Sequence, residues 1–278
     1  MDLDLPANVR LISSLPSDYA AYPADPRTLQ ALSAAEDGHF WHLSRNRLIV
    51  ARLRKLGIAP PARFLDLGCG GGCVTAHLER EGYRTTGVDG HLSRVLEAAA
   101  RAPGSQFLVH DLAQGTASIA DDGFDAVGLF DVIEHLDAPG DAVVQAATHL
   151  RPGGYVVGTV PALMALWSQV DVDAGHKTRY ELGTLREVLS ALPGLRLVEV
   201  APFNRHLVPM MWLQRKAVVR RDPGSTAEAN FRVPPGPVNQ GLLWLANVER
   251  RVAGVLDGTR LPGASLWFAL ERTAATPG

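Results

Sequence analysis

The chain has 278 residues, of which 46% are hydrophobic and 20% are charged. This composition is that of a globular protein and excludes a wholly disordered or a collagen-like chain. The formal net charge of -2 gives no global basic field, which argues against a general nucleic-acid-binding protein. The two cysteines, Cys69 and Cys73, cannot build a disulfide framework, so we expect a reducing compartment.

The amino-terminal residues lack the features of a secretory signal. Met1 is followed by acidic rather than basic residues, and no apolar segment comes after Pro6. The longest apolar runs, such as residues 207–213, are far shorter than the roughly 20 residues that a membrane-spanning helix needs. We therefore expect a cytoplasmic protein without a spanning helix.

The first predicted elements are an amino-terminal arm over residues 1–38 and a helix over residues 39–56. Four prolines in the arm interrupt any long helix. In residues 39–56 the apolar positions recur at helical spacing, which predicts an amphipathic helix. The other face of this helix carries four arginines, namely Arg45, Arg47, Arg52 and Arg54.

Four short apolar runs follow, and each ends in an acidic residue: Asp66, Asp89, Asp111 and Asp131. These acids are separated by 20 to 23 residues, which matches a strand plus a crossover helix. Consecutive parallel strands end along one edge of their sheet, where open α/β proteins bind ligands. Because acidic side chains are a poor choice for mere packing, the pattern predicts a ligand site at that edge.

The rest of the chain continues this pattern and then loses it. The predicted elements are a helix over 138–150, a strand over 155–160, a connector over 161–180, a helix over 184–192, a strand over 195–200 and a last strand over 265–270. The irregular residues 203–262 form an insertion before that last strand, the seventh. We therefore divide the chain into an arm with a cover helix (1–58), a core (59–202), and an insertion with the final strand (203–278).

A glycine-rich loop, Gly68 to Gly72, follows the first of the acid-ended strands. Glycines permit positive φ angles and let a ligand approach the backbone closely. A dinucleotide-binding fingerprint requires Gly or Ala where this chain has Cys73, and the Gly-Lys-Ser/Thr of a P-loop is missing here. The loop therefore indicates a ligand that is not held by its phosphates.

Five segments resemble the ordered motifs of class I S-adenosylmethionine-dependent methyltransferases: residues 65–72, 87–89, 111–112, 125–135 and 150–154. The resemblance covers residues 60–200 and implies an α/β fold. That fold is a Rossmann-like, seven-stranded methyltransferase sheet with helices on both faces, an amino-terminal helical cover and a carboxyl-terminal insertion. Glu134-His135 and residues 175–180 resemble the bacterial small-molecule and ubiquinone-type O-methyltransferase branch.

The resemblance implies S-adenosylmethionine as the cofactor. Asp89 can accept both ribose hydroxyls, because a carboxylate offers two acceptor oxygens. By resemblance, Asp66 and the glycine loop hold the methionine portion, and Asp111 with Leu112 holds the adenine. Arg45 or Arg47 would close over the cofactor carboxylate, or belong to a plain basic helix face. The predicted cofactor site comprises Asp66, Gly68, Cys69, Gly70, Asp89, Gly90, Asp111, Leu112, Phe130 and Arg45.

The predicted catalytic residues are His135 and its neighbour Glu134. Methyl transfer is an in-line displacement at a carbon activated by positive sulfur, so the protein mainly aligns the acceptor and handles its proton. His135 suits the role of general base because a histidine titrates near neutrality. The alternative is that His135 only caps or packs the start of a helix.

The predicted acceptor contacts are Asp131, His176, Arg179 and Tyr180, with a solvated connector loop as the alternative. Asp131, Glu134, His135 and His176 could instead hold a divalent ion that orients two acceptor oxygens. Our prediction assigns no metal ligand.

The insertion is more basic than the rest of the chain. Residues 203–262 hold nine basic residues and four acidic ones. Residues 205–221 combine apolar and basic side chains, which is compatible with peripheral membrane contact, with a lid over an anionic acceptor, or with an ordinary packed helix.

The predicted activity is transfer of the methyl group of S-adenosylmethionine to an oxygen, or less commonly a nitrogen, of a small molecule. The product from the cofactor is S-adenosylhomocysteine, and the acceptor is a secondary metabolite or a quinone-like intermediate. Two alternatives are a catalytically silent partner protein that keeps the cofactor fold and a lipid-directed methyltransferase at a membrane surface. Nucleic acid is not an expected partner, and the sequence leaves the oligomeric state open.

Overall fold

The structure is a computed structural model. It describes residues 5–12, 26–119, 123–218, 233–257, 259 and 261–273, while the side chains of residues 26–31 and 214–218 lie outside the description.

Within these residues, eight strands form one sheet. They are β1 (Val9–Leu11), β2 (Arg63–Leu67), β3 (Arg84–Asp89), β4 (Gln106–Val109), β5 (Phe124–Phe130), β6 (Leu150–Pro161), β7 (Leu195–Phe203) and β8 (Ser265–Arg272). Their order across the sheet is β1-β4-β3-β2-β5-β6-β8-β7. Neighbouring strands from β1 to β6 are parallel, and β8 is antiparallel to both β6 and β7. The direction of winding reverses between β2 and β5, where open α/β sheets form a ligand crevice.

The helices of the described residues cover both faces of this sheet. They are α1 (Pro26–Gly38), α2 (Phe40–Lys55), α3 (Cys73–Arg80), α4 (Leu92–Arg101), α5 (Pro139–Thr148), α6 (Gln169–Asp173), α7 (Leu182–Ser190), α8 (Leu207–Val218), α9 (Gly236–Arg251) and α10 (Ala253–Leu256). Short 3-10 turns occur at Leu112–Gln114, Ile133–His135 and Met164–Leu166. No helix in the described part of the chain is long and apolar enough to cross a membrane.

The predicted α/β fold is confirmed, but the predicted count of seven strands is one too low. The additional strand, β1, lies in the amino-terminal arm and pairs in parallel with β4. Three residues are too few to give a periodic pattern, which is why the sequence did not predict β1. The strand forms by pairing with the backbone N–H and C=O groups at the edge of β4. The arm also contains α1, a 13-residue helix where we expected no long one. It begins at Pro26, a position at which proline is tolerated because the first helical N–H has no partner.

The hydrophobic core fills both faces of the central strands. β5 is almost continuously apolar, as a parallel strand covered on both sides must be. On one face α5 and α7 contribute the fully buried Val143 and Leu185. On the other face α2 and α3 contribute Leu53 and Leu78. This packing holds the carboxyl ends of the central strands in a fixed arrangement.

Helix α2 is confirmed, but the expected arginine face is not wholly exposed. Arg52 is buried, and its guanidinium binds Glu199 at 2.6 Å and Asp257 at 2.8 Å. Arg45 is buried as well. Helix periodicity alone could not find this, because the acidic partners come from distant parts of the chain.

The insertion between β7 and β8 is helical where it is described. Asn239 of α9 accepts a hydrogen bond from the backbone N–H of Phe40 and donates one to the carbonyl of Gly38, both at 2.8 Å. Glu249 of α9 accepts a hydrogen bond from the backbone N–H of Arg205 at 2.9 Å. Hydrogen bonds therefore hold the insertion against the start of α2 and against the end of β7. Residues 219–232 lie outside the described part.

Candidate functional site

The predicted acidic residues meet at the carboxyl edge of the sheet. Asp66 lies within β2, Asp89 is the last residue of β3, and Asp111 follows β4. Asp131 follows β5, the neighbour of β2 on the other side. Since all four strands are parallel, their carboxyl ends lie along one edge of the sheet, and β2 and β5 flank the position where the strand order reverses.

The glycine loop is tightly packed between β5 and α4. The N–H groups of Gly68 and Cys69 both donate to the carbonyl of Val88, at 2.8 and 3.0 Å. A Cβ on Gly68, which has φ +78°, would lie 2.6 Å from Val132. These contacts explain why glycine occupies this position, and they hold the loop backbone at the crevice.

Asp89 connects β3 to the glycine loop. Its carboxylate accepts hydrogen bonds from the backbone N–H groups of Gly70 and His91, both at 2.9 Å. The His91 ring nitrogen lies 3.2 Å from the same carboxylate. Gly90 lies between Asp89 and His91 in the chain and is partly exposed. The Asp89 side chain keeps 14% of its surface exposed, so its remaining lone pairs can reach a ligand.

Asp66 is 1% exposed and accepts a hydrogen bond from the Thr75 hydroxyl at 2.6 Å. Among the described residues it has no ion pair. Burial raises the pKa of Asp66 to about 6, and the hydrogen bond from Thr75 offsets only part of that rise. A carboxyl group with these properties beside a glycine loop is a candidate for binding a cationic group of a ligand.

The other predicted cofactor residues lie nearby with different exposures. Asp111 accepts a hydrogen bond from the backbone N–H of Ala113 at 2.9 Å and thereby caps the turn that begins at Leu112. The Phe130 ring is stacked on Phe64 with 6.1 Å between the ring centroids. Only 6% of Phe130 is exposed, so its ring belongs chiefly to the core.

Arg45 links the predicted cofactor residues to the predicted acceptor residues. Its guanidinium lies 2.5 Å from the carboxylate of Asp131 and 4.8 Å from the ring centre of Trp41. Asp131 has a φ of 57°, a backbone conformation that is uncommon for a residue other than glycine. Arg47, the alternative in the sequence analysis, is instead exposed and faces α9.

Glu134 is completely buried beside Asp131. Neither of its carboxylate oxygens has a hydrogen-bond partner among the described residues. Burial, reinforced by the negative charge of Asp131, raises the pKa of Glu134 well above its usual value. A buried group without partners costs free energy, which makes Glu134 a candidate for contact with a ligand.

The structure brings His135 and His176 together. Their ring centroids are 4.9 Å apart in an edge-to-face arrangement. The Nδ1 atom of His135 lies 3.2 Å from the carbonyl oxygen of Gly175. Burial and the neighbouring His176 lower the pKa of His135, so its imidazole is neutral near pH 7.

Asp171 is a residue that the sequence analysis missed. It is fully buried in α6 and lies 3.0 Å from Nδ1 of His176 and 2.7 Å from Nε of Arg179. Burial alone would raise the pKa of Asp171, but these two contacts outweigh it and lower the pKa to about 2. Ser168-x-x-Asp171 forms a capping box, which is the sequence signal that could have drawn attention to it.

Arg179 and Tyr180 make bonds within the protein. Besides Asp171, Arg179 donates to the carbonyl of Ala162 at 3.0 Å. The hydroxyl of Tyr180 donates to the carbonyl of Ile133 at 3.3 Å, and burial together with Glu134 raises its pKa to about 12. His176, by contrast, keeps its ring edge-to-face against that of His135.

Three groups at this position have the geometry of metal ligands. Glu134, His135 and His176 each offer one ligand atom, and these atoms lie within 4.8 Å of one another. Carboxylate and imidazole are common ligands for divalent metals, and the unpartnered oxygens of Glu134 fit that use. Asp131, the fourth residue of the predicted set, is outside the trio and binds Arg45.

A sequence model of a family described as a methyltransferase domain matches residues 40–200, more than half of the chain. The chain belongs to the class I S-adenosylmethionine-dependent methyltransferases. The predicted family is thereby confirmed.

Curated relatives of this methyltransferase match a shorter part. The ubiquinone biosynthesis O-methyltransferase of Alkalilimnicola ehrlichii is 32% identical over 109 residues, which cover 37% of this chain and 42% of that protein. The ubiquinone biosynthesis O-methyltransferase of Xylella fastidiosa is 34% identical over 125 residues, which cover 42% of this chain and 50% of that protein. The matches span half or less of the length of these relatives.

Solved structures match over nearly the whole chain. The [4+2]-cyclase SpnF has a TM-score of 0.59 at 17% sequence identity, covering 94% of this chain and 98% of that one. The plantazolicin methyltransferase BpumL, solved with a desmethylPZN analogue and S-adenosylhomocysteine, has a TM-score of 0.58 at 12% identity, covering 92% of this chain and 94% of that one. At such identities the likeness shows the fold alone.

Proposed function

We propose that this protein transfers the methyl group of S-adenosylmethionine to an oxygen of a small molecule and releases S-adenosylhomocysteine. The observation that carries the proposal is the convergence of two sets of groups at the reversal of strand order. Asp66, Asp89 and the glycine loop lie on the β2–β3 side, and Glu134 and His135 lie directly after β5. The family membership supports the cofactor, and the ubiquinone-type relatives support oxygen rather than nitrogen as the methylated atom.

On the cofactor side, the carboxylate oxygens of the protein are proposed to accept hydrogen bonds from S-adenosylmethionine. Asp89 accepts the two ribose hydroxyls, and Asp111 accepts from the adenine amine while the Leu112 backbone contacts the ring. Asp66 faces the amino group of the methionine portion, whose positive charge would stabilise the buried carboxylate. Arg45 would release Asp131, its present partner, and bind the cofactor carboxylate instead.

On the acceptor side, His135 is proposed to remove the proton of the acceptor hydroxyl. The lowered pKa of His135 keeps its imidazole neutral at physiological pH, so a ring nitrogen is free to accept that proton. Glu134, whose raised pKa favours the neutral carboxylic acid, would bind a second hydroxyl of the methyl acceptor. His176 would border the acceptor, while the bonds of Arg179 and Tyr180 favour roles in holding the connector.

A metal-assisted form of the same reaction is the second candidate. Glu134, His135 and His176 would hold a divalent ion, and the ion would orient two neighbouring acceptor oxygens and lower the pKa of one. In that form the three side chains would bind the ion, and an acceptor with adjacent hydroxyl groups would be preferred.

The acceptor class is proposed to be a hydroxylated aromatic small molecule, such as a quinone-like intermediate or a secondary metabolite, in the cytoplasm. Peripheral membrane contact through residues 205–221 stays a prediction, and Arg220 and Arg221 lie outside the described residues. The alternative of a protein that binds the cofactor without turning it over is kept because SpnF, a cyclase by name, has the same fold.

Calorimetric titration with S-adenosylmethionine and S-adenosylhomocysteine, with and without magnesium, tests the cofactor assignment. Asp89→Ala is expected to weaken binding at least about tenfold, because a hydrogen bond to a charged acceptor contributes about 1.5–3 kcal/mol. Asp141→Ala, which removes an exposed acid of α5, is the matched control and should bind as the wild type does. Unchanged affinity of Asp89→Ala would overturn its placement.

A radiolabelled methyl-transfer assay against dihydroxy-aromatic compounds tests the acceptor side. His135→Gln is expected to keep cofactor affinity and to lower turnover by about a hundredfold or more. Full turnover of this variant across the pH range would remove His135 as the base. If the wild type needs magnesium for turnover and the Glu134→Gln variant no longer responds to magnesium, the metal-assisted form is favoured.

A further inference from the structure

Helix α9 and the short α10 expose an apolar face on the side opposite to the core. The buried side of α9 holds Ala246, and Leu242 and Leu243 pack against the core cluster around Phe40. The opposite side carries six large apolar side chains, and the last four of them, from Leu245 to Val255, follow one another at a spacing of three and four residues. These exposed residues are Val238, Trp244, Leu245, Val248, Val252 and Val255.

The exposure of this face is substantial. Trp244 is 64% exposed and Val255 is 78% exposed. An amphipathic helix of a globular protein normally turns its apolar stripe toward the core, whereas α9 has apolar residues on both sides. A contiguous exposed apolar patch marks a surface that contacts something else.

The same face has a basic edge. A surface groove of about 290 Å³ lies between α9 and α2, lined by Arg47, Trp244, Asn247, Val248, Arg250 and Arg251. The Nε atom of Arg250 is buried and has no hydrogen-bond partner among the described residues. The groove therefore combines three guanidinium groups with an exposed indole ring.

Acidic residues near this edge are turned away from it. Glu249 binds Arg205 and lies 2.7 Å from His206, and Asp257 binds Arg52 at 2.8 Å. No acidic residue lines the described groove. The electrostatic field at the edge is accordingly positive, and its partner must be anionic.

We propose that this face of α9 and α10, with the arginine groove at its edge, docks on the surface of an anionic phospholipid membrane. Trp244, Val248 and Val255 would enter the headgroup region, and Arg47 and Arg251 would contact lipid phosphates. An indole ring suits the boundary between water and lipid because it is apolar with one polar N–H. A second copy of the chain fits less well, since the described face offers no exposed acid to meet the arginines.

The surface differs from residues 205–221, which the sequence analysis considered for membrane contact. It also does not depend on methyl transfer, because none of its side chains belongs to the proposed cofactor or acceptor site. Binding to vesicles can therefore succeed or fail independently of the proposed reaction.

The test is co-sedimentation of the full chain with vesicles of phosphatidylcholine, prepared with and without phosphatidylglycerol. Wild-type protein is expected to bind only the anionic vesicles and to dissociate when salt rises from about 0.1 M to about 1 M, where the screening length falls from about 10 Å to about 3 Å. The double variant Arg47→Glu/Arg251→Glu is expected to lose binding at least about tenfold. The double variant Arg10→Glu/Arg84→Glu carries the same charge change at exposed positions elsewhere and should bind normally.

Two single variants test the apolar part. Val255→Asp, at a highly exposed position, is expected to weaken binding about tenfold. Trp244→Phe is expected to keep most of the binding and to lose the blue shift of tryptophan fluorescence that the wild type shows on vesicles.

Three results would overturn the proposal. The first is vesicle binding by Arg47→Glu/Arg251→Glu at the wild-type level. The second is complete release from vesicles by excess glycerol phosphate, which would indicate a site for a soluble anion. The third is absence of vesicle binding together with a dimer, seen by light scattering, that Val255→Asp dissociates, since this would make the face a contact between copies.

Discussion

Asp66 and Asp171 are both buried carboxylates near the carboxyl end of the sheet, but their surroundings are opposite. Asp66 accepts a hydrogen bond from Thr75, has no ion pair among the described residues, and has a pKa raised by burial to about 6. Asp171 contacts His176 and Arg179, which lower its pKa to about 2 despite its burial. One carboxylate is electrostatically unsatisfied and the other is fully compensated.

The difference separates a ligand site from a structural centre. A buried carboxylate without a counterion opposes folding, and a ligand that brings a positive group would relieve it. A buried carboxylate that binds two cationic groups holds together the segments that carry them. We therefore propose that Asp66 belongs to the cofactor site and that Asp171 supports the connector that carries His176.

The largest expected effect belongs to Asp171→Ala. Removing this carboxylate leaves the buried guanidinium of Arg179 without its counterion, which should lower the free energy of unfolding by about 3–5 kcal/mol. Chemical denaturation measures it. Asp173→Ala, an exposed acid in the same helix, is the control and should change stability by no more than about 0.5 kcal/mol. A loss below about 1 kcal/mol for Asp171→Ala would show that Asp171 is not an essential counterion of Arg179.

The second-largest loss of stability is expected in the glycine loop beside Asp66. Gly72 has φ +76°, and a Cβ there would lie 2.7 Å from the Cβ of Ala98. Gly72→Ala is expected to lower the free energy of unfolding by about 2–4 kcal/mol through backbone strain and overpacking. Gly153 has φ +73° and nothing within 4 Å of such a Cβ, so Gly153→Ala should cost only about 1 kcal/mol. Equal losses would show that the packing at Gly72 is unimportant.

Asp66→Asn should change the pH dependence of stability. The folded-state pKa of about 6 lies above the unfolded-state value of about 4, so the folded protein binds this proton more tightly. The stabilisation of the folded wild type by this tighter proton binding is present at low pH and is lost as the pH rises through 6. From pH 5 to pH 8 the variant should gain about 1.4 kcal/mol relative to the wild type.

Denaturation at several pH values measures the difference between Asp66→Asn and the wild type. Asp141→Asn, which changes an exposed acid of α5, is the control. A constant difference between Asp66→Asn and the wild type would show that the pKa of Asp66 is not raised in the folded protein. Calorimetry on the same variant should show weaker binding of S-adenosylhomocysteine.

The smallest expected effect is that of Tyr180→Phe on the connector side. Loss of the hydrogen bond to Ile133 should lower the free energy of unfolding by about 1 kcal/mol and leave cofactor affinity unchanged. Tyr83→Phe is the matched control, because the hydroxyl of this buried tyrosine also donates to a carbonyl, that of Ile58 at 2.9 Å. If methyl transfer falls in Tyr180→Phe but not in Tyr83→Phe, Tyr180 contacts the acceptor and is not only structural.

The regular alternation of strands and acids allowed the parallel sheet and its acid-lined carboxyl edge to be predicted from the sequence. Each strand is a local apolar run, and parallel strands with crossover helices must end on the same edge. Strand β1 could not be predicted because it has three residues and depends on pairing with β4. Asp171 escaped notice because its function as a counterion depends on residues that approach only in the folded chain.

The sequence by itself determined the family, the order of the core elements and the positions of the acids at the strand ends, because these depend on local periodicity and on motifs of a few residues. Only the tertiary structure decided which charges are compensated. Arg45 meets Asp131 across 86 positions of the chain, and Glu134 is left without a partner. The stability of a buried charge depends on its neighbours in space, and the folded chain alone determines those neighbours.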